Sequence, residues 1–139
     1  MQAVMLHTGV GLLQGSMGID TAYRQGVPMV VVSGESLTYS EKEDFEPGPQ
    51  WHGVLSVVGG PSALVDGITK WSQSVSSPYT LHEQLIRAGE MAQRSPAGPV
   101  YMSVPIETML HDWTPPKNPR AVPSASRPCL LYTSPSPRD

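Results

Sequence analysis

A strand, a glycine pair, a helix and a second strand follow one another within residues 3–36, and this order strongly constrains the fold. The apolar run at residues 3–7 predicts a strand buried on both faces of a parallel sheet. The next glycines predict a sharp turn, and the apolar period of residues 12–24 predicts a helix. Residues 29–32 predict a second strand. A strand–helix–strand unit this short requires a right-handed parallel crossover.

Residues that follow the two predicted strands are candidates for a ligand site, because parallel sheets bind ligands at the carboxyl ends of their strands. His7 ends the first strand, and Gly9 and Gly11 follow it. Two glycines two residues apart let the backbone approach a ligand closely. His7 either faces that ligand or is hydrogen-bonded at the strand end, and the sequence favours neither interpretation.

Alternating strand and helix patterns continue to residue 105, which predicts a three-layer α/β/α fold around a parallel sheet. Thr80 and Glu83 predict a capping box at the start of the clearest helix. Gly98 and Pro99 predict the entry to a last buried strand, which Pro105 ends. After the first unit, residues 54–58 are an apolar run, and the elements predicted beyond it are a helix at 61–68, a strand at 70–75, a helix at 80–94 and a strand at 100–104.

Composition excludes several classes of protein. The 139 residues suffice for one domain, and 39% hydrophobic with 15% charged residues is typical of a globular chain. A net charge of −3 without a basic run argues against nucleic acid as a partner. The sequence shows neither an apolar run of membrane-spanning length nor a signal peptide, so we expect a cytoplasmic protein without a membrane partner.

Three motifs in order carry a family resemblance. Gly9-Val10-Gly11 opens a glycine loop that runs to Gln14, Ala22-Tyr23 ends the helix, and residues 98–105 read G-P-V-x-hydrophobic-x-hydrophobic-P. Residues 3–110 thereby resemble the N-terminal, pyrimidine-binding domain of thiamine diphosphate-dependent enzymes such as acetolactate synthase and 2-oxo acid decarboxylases. The resemblance implies that Gly9, Gly11 and Gln14 contact the cofactor, and that His7 is a weaker candidate for the site.

The resemblance also implies parts that the sequence lacks. Family members carry a catalytic glutamate in a His-Glu pair ahead of the glycine loop, and a Gly-Asp-Gly…Asn motif that holds Mg²⁺ and the diphosphate in another domain. The pair His82-Glu83 stands after the glycine loop, so Glu83 is better explained as a capping residue. We therefore expect a parallel sheet that is incomplete at its N-terminal side, with no catalytic residue and no metal ligand of its own.

The parent protein implied by this resemblance is a lyase or transferase. It would act on a 2-oxo acid, by carboligation or by decarboxylation, as a homodimer or homotetramer. The resemblance leaves open which 2-oxo acid is used and whether a flavin is bound. The 139-residue chain is expected to be inactive alone.

The chain divides into three segments by composition. Residues 1–110 form the partial pyrimidine domain, and the proline-rich residues 111–128 predict a linker between domains. Residues 129–139, which include Cys129, match the translation of a common sequencing-library adaptor and are not expected to be native. The alternative is a natural Pro/Ser-rich tail.

Two other functions stay open. A glycine pair before a helix could bind a nucleotide or phosphate in a non-catalytic module, although Gln14 replaces the third glycine of the dinucleotide fingerprint. The chain could also be one subunit of a split thiamine diphosphate enzyme.

Overall fold

A computed structural model describes residues 1–35, 59–112 and 114. In these ranges four parallel strands form one sheet in the order β1-β2-β4-β3. The strands are β1 (Gln2–Leu6), β2 (Met29–Glu35), β3 (Ser72–Ser74) and β4 (Pro99–Pro105). The helices are α1 (Thr8–Gln25), α2 (Pro61–Val65), α3 (Pro78–Gln93) and α4 (Ile106–Met109), with a 3₁₀ turn at Asp66–Ile68.

Helices cover both faces of the sheet, which confirms the predicted α/β/α fold. On one face, α1 and α2 pack on β2 and β4 through one buried cluster. On the other face, α3 packs on β2 and β4 through a second buried cluster. The first cluster contains Leu12, Ile19, Val31, Val65 and Tyr101. The second contains Val30, Val75, Ala88, Ala92, Val100, Met102 and Val104.

The predicted burial of the first strand on both faces is wrong. Met5 is 84% exposed, and Gln2 and Ala3 are also exposed. Within the described residues β1 lies at the edge of the sheet and pairs only with β2. The α3 cluster contains no β1 residue, so the side of β1 that carries Met5 stays open.

The predicted position of the glycine turn is also wrong. Helix α1 begins at Thr8, so Gly9 and Gly11 lie in its first turn rather than before it. Only His7 separates β1 from α1. The chain turns there because Thr8 adopts a φ of +48°, which lets the helix start at once.

The helical period of residues 12–24 predicts that Leu12, Ser16, Ile19 and Tyr23 share one face of α1. Leu12 and Ile19 are buried, but Tyr23 is 44% exposed and Ala22 is buried in its place.

Gly26 ends α1 in the left-handed region, with φ +66° and its N–H directed to the carbonyls of Ala22 and Tyr23. A side chain is strained in that conformation, so we expect Gly26→Ala to lower the free energy of unfolding by about 1–2 kcal/mol. Urea denaturation measures the loss. Gly67→Ala is the control, because an added Cβ there meets nothing within 4 Å. Equal losses in both variants would contradict the assigned role of Gly26.

Helix α3 begins two residues earlier than predicted, and the capping box is wrong. Ser77 is the cap: its Oγ accepts a hydrogen bond from the Tyr79 N–H at 3.4 Å. Pro78 suits the first helical position because it has no N–H to satisfy. Thr80 therefore lies inside the helix, where its hydroxyl donates to the Ser77 carbonyl at 3.1 Å.

The helical period of α3 predicts an apolar stripe of Leu81, Leu85, Ala88 and Ala92, and the structure confirms it in part. Ala88 and Ala92 are buried, Leu81 is half-buried and Leu85 is 45% exposed. The remaining elements follow the prediction closely, and β4 is buried along its whole length. The apolar run at residues 54–58 and the segment 129–139 lie outside the described residues.

Candidate functional site

A groove opens where three parallel strands end. Its volume is about 550 Å³, and it lies between the carboxyl ends of β1, β2 and β4 and the helices α3 and α4. This is where an open parallel sheet is expected to bind a ligand. Most of the lining is apolar; the lining residues are Met5, Leu6, His7, Thr8, Val32, Ser33, Gly34, Leu81, Leu85, Met102, Val104 and Met109.

His7 and Thr8 give one end of this groove its polar character. His7 is exposed, and the alternation along an extended chain places it on the same side as Met5. The Thr8 hydroxyl lies 3.4 Å from the His7 Nδ1 atom. The predicted candidate His7 therefore lines the groove. Thr8 also lines it, although no sequence pattern indicated Thr8 as a site residue.

Thr8 is held in an unfavourable backbone conformation. A β-branched residue at φ +48° is strained, and such strain is concentrated at functional sites. Here the strain joins β1 directly to α1 and brings the start of the helix to the groove. Sequence patterns do not indicate the left-handed backbone of Thr8, because that conformation is expected at glycine.

The other three predicted cofactor contacts do not line the groove. Gly9, Gly11 and Gln14 lie on α1, which packs on the opposite face of the sheet from α3. Gly9 is buried, Gly11 half-buried and Gln14 exposed. The structure thus brings His7 together with Ser33 and Gly34, and places the glycines beside them around the end of β1.

Gly11 is not required by the fold. A Cβ added there would lie 3.6 Å from Leu6, an ordinary contact, and its φ is not in the left-handed region. A glycine that neither packing nor backbone geometry demands is free to serve a ligand.

A second polar feature lies on the α1 side of the sheet. The hydroxyls of Ser33 and Tyr101 are 2.6 Å apart, and those of Ser74 and Ser103 are also 2.6 Å apart. Burial raises the pKa of Tyr101 to about 12, so its phenol is neutral at physiological pH. Glu35, which ends β2, is only 6% exposed.

Lys70 has a structural role. Its Nζ donates to the carbonyls of Met91 at 2.6 Å and Arg94 at 2.7 Å, at the end of α3. Partial burial and then the nearby Arg94 charge lower the pKa of Lys70. The sequence around Lys70 does not indicate this burial. Both hydrogen bonds hold the amine against the end of α3, which is a structural role and not a catalytic one.

Within residues 1–35, 59–112 and 114, no three His, Cys, Asp or Glu side chains come together as a metal site. The acidic residues Glu41, Glu43 and Asp44 lie outside those ranges. None of the described helices has the length and apolar character needed to cross a membrane.

Sequence comparison finds relatives among enzymes. No family model matches the chain. It is 29% identical over 111 residues to a Pseudomonas aeruginosa protein named "Probable 2-ketoarginine decarboxylase AruI", covering 77% of this chain and 19% of that protein. It is 41% identical over 58 residues to a Mycobacterium tuberculosis protein named "Putative acetolactate synthase large subunit IlvX", covering 42% of this chain and 11% of that protein.

Solved structures share the fold. One is described as a "putative thiamin diphosphate-dependent enzyme isolated from Mycobacterium smegmatis". It has a TM-score of 0.66 at 22% identity, over 89% of this chain and 22% of that one. Benzoylformate decarboxylase from Polynucleobacter necessarius has a TM-score of 0.65 at 24% identity, over 88% and 21%.

The structure is that of a parallel α/β protein with a groove at the carboxyl ends of its strands. The chain is similar in fold and in sequence to thiamine diphosphate-dependent enzymes, which confirms the resemblance inferred from its motifs. The matches to the 2-ketoarginine decarboxylase and to the two solved structures cover most of this chain. They cover only about a fifth of each of those proteins.

Proposed function

We propose that this chain is part of a thiamine diphosphate-dependent enzyme that acts on 2-oxo acids, and that it contributes to the site of the cofactor's pyrimidine ring. The observation that carries the proposal is the groove at the carboxyl ends of β1, β2 and β4, in a chain similar to these enzymes. Both lyase and transferase chemistry agree with the relatives, which include decarboxylases and an acetolactate synthase subunit.

The described residues fit one half of the cofactor. A pyrimidine ring has apolar faces and a polar edge, and the groove has apolar walls with His7 and Thr8 at one end. The diphosphate half carries charge and needs Mg²⁺. We assign that ion to another domain of the parent, as the family resemblance implies.

The chain's own residues would bind and orient the cofactor. Gly9, Gly11 and Gln14 stand in the first two turns of α1, beside the groove and not in its lining, so they would contact the part of the cofactor that extends past the end of β1. His7 would contact the ring edge or the substrate. When bound, the cofactor supplies the chemistry that cleaves the bond between the carboxylate and the carbonyl carbon of a 2-oxo acid.

This function requires a longer polypeptide. Residues 1–110 would be a partial pyrimidine domain, residues 111–128 a linker, and residues 129–139 a sequence foreign to the protein. Sequencing the genomic locus on both sides of the reading frame tests this division. A frame with a His-Glu pair upstream and Gly-Asp-Gly…Asn downstream is expected.

A start codon at residue 1 and a stop codon at the end of the linker would contradict that division. A split subunit or a non-catalytic binding module would then replace it. The 139-residue chain is expected to show no turnover of pyruvate with added thiamine diphosphate, since the catalytic glutamate and the metal site would lie elsewhere.

Gly11→Ala separates a ligand role from a folding role. Because a Cβ fits at residue 11 and alanine favours helix, we expect unchanged stability or a gain of about 0.5–1 kcal/mol. In the full-length protein, the same variant is expected to weaken thiamine diphosphate binding several-fold, because the added Cβ lies 3.6 Å from Leu6 and 3.8 Å from the His7 side chain, and both residues line the groove. Isothermal titration and urea denaturation measure the two effects.

Gly18→Ala is the matched control, in the same helix and with nothing within 4 Å of the added Cβ. It should gain similar stability without a change in affinity. Equal affinities in the two variants and the wild type would contradict the role proposed for Gly11.

A further inference from the structure

The carboxyl end of β2 is held less firmly by the sheet than its beginning. The pairing of β1 with β2 stops at Leu6 and Ser33, so Gly34 and Glu35 have a strand on only one side within the described residues. That neighbour is β4, and it ends in Pro105, opposite Glu35.

A side-chain hydrogen bond is added where the backbone ladder weakens. Tyr101 Oη lies 2.6 Å from Ser33 Oγ, and both residues are buried. Tyr101 stands in the middle of β4, within the apolar cluster that includes Leu12 and Val31. A rigid ring anchored in the core therefore reaches the last residue of β2 that is paired on both sides.

Two further hydroxyls lie on the same side of the sheet as Tyr101. Against the larger effect of burial, Ser103, two residues further along β4, lowers the pKa of Tyr101 slightly, and its hydroxyl lies 2.6 Å from the Ser74 hydroxyl of β3. We call Ser33, Tyr101, Ser103 and Ser74 the hydroxyl row. It crosses from β3 through β4 to β2 on the side of the sheet away from the groove.

The hydroxyl row ends where the groove begins. The backbone of Ser33 and Gly34 lines the groove, while the Ser33 side chain faces Tyr101. The Ser33 hydroxyl also donates to the Gly34 carbonyl at 3.4 Å, a long contact. When Ser33 donates there, the Tyr101 hydroxyl is the donor to Ser33, because a serine has one hydroxyl proton.

We propose that Tyr101 is a positioning residue for the groove: its hydrogen bond to Ser33 fixes the end of β2 in the place that ligand binding requires. The proposal rests on the proposed function in one respect, that thiamine diphosphate is the ligand used to probe the groove. Tyr101 does not touch the ligand itself.

Amide hydrogen exchange in the 139-residue chain tests the positioning directly. Tyr101→Phe keeps the ring and removes the hydroxyl, so the Gly34 and Glu35 amides are expected to exchange about tenfold faster. The Ala88 amide in α3 should keep its rate. The control Ser72→Ala removes a hydrogen bond to Asp66 outside the row and should leave Gly34 unchanged.

A double variant sharpens the result. Ser33→Ala breaks the same hydrogen bond from its other side, so Ser33→Ala and Tyr101→Phe together should accelerate Gly34 exchange no more than either alone. Effects that multiply in the double variant would overturn the proposal. Equal acceleration at Ala88 and Gly34 would also overturn it, because it would show a general loss of stability.

Cofactor titration of the full-length protein completes the test. Tyr101→Phe is expected to raise the Kd for thiamine diphosphate several-fold, and Ser72→Ala to leave it unchanged. An unchanged Kd in Tyr101→Phe would overturn the link to the ligand site. If the wild type binds no thiamine diphosphate, the proposed function fails, while the exchange rates still decide whether Tyr101 positions the end of β2.

Discussion

Tyr101→Ala is expected to lower the free energy of unfolding by about 3–5 kcal/mol, the usual cost of truncating a buried aromatic residue. Tyr101 is fully buried, and its ring lies in the cluster with Leu12, Val31 and Val65. The variant leaves a cavity in the centre of the sheet and removes the hydrogen-bond partner of Ser33. Urea denaturation measures the loss.

Tyr79→Ala is the control for this prediction. Tyr79 is 71% exposed, and its ring meets the His111 ring edge-on at 5.5 Å. Removing it should cost about 1 kcal/mol or less. If Tyr101→Ala prevents folding, Tyr101→Leu gives a smaller, measurable loss. Similar losses at residues 79 and 101 would contradict the assignment of Tyr101 to the core.

Leu12→Ala is expected to cost about 2–5 kcal/mol. Leu12 is the fully buried residue through which the first half of α1 packs on the sheet, in the same cluster as Tyr101. Losing it would detach the start of α1, which also carries the predicted cofactor contacts. Thermal and urea denaturation both report the change.

Leu13→Ala is a close control, because residue 13 follows in the same helix and is 54% exposed. Its cost should lie within about 0.5 kcal/mol of zero. Because Leu12 and Tyr101 share one cluster, the double variant is expected to lose less than the sum of the two single losses. A larger loss at Leu13 than at Leu12 would mean that α1 packs by another face.

Local signals were sufficient for the order of elements. Apolar runs bounded by glycine and proline located β2, α2 and β4 within a few residues, because each signal depends on neighbours in the sequence. The exposure of Met5 could not be read in this way. It depends on which strands α3 covers, and that is decided by tertiary packing.

Two local rules were overridden at element ends. Thr80 with Glu83 is a good capping box, yet Ser77 followed by Pro78 offers an earlier start for α3. The strained φ of Thr8 contradicts the usual preference for glycine in that region. Its position beside the groove suits a strained functional site.

The candidate site was predictable only in part. His7 was selected because it follows a parallel strand, and the structure places it at the groove. The hydrogen bond between Ser33 and Tyr101 joins residues 68 apart in the chain, so no local pattern indicates it. The remaining groove residues come from three strands and from α3 and α4, and only the folded chain brings them together.

Cofactor dependence of the full-length protein is the most direct test of the proposed function. The protein would be purified free of thiamine diphosphate, and CO₂ release from a panel of 2-oxo acids measured as the cofactor is added with Mg²⁺. We expect no release without the cofactor and a saturable rise with it. Tight binding of a nucleotide, with no thiamine diphosphate binding and no CO₂ release from any 2-oxo acid, would contradict the assignment.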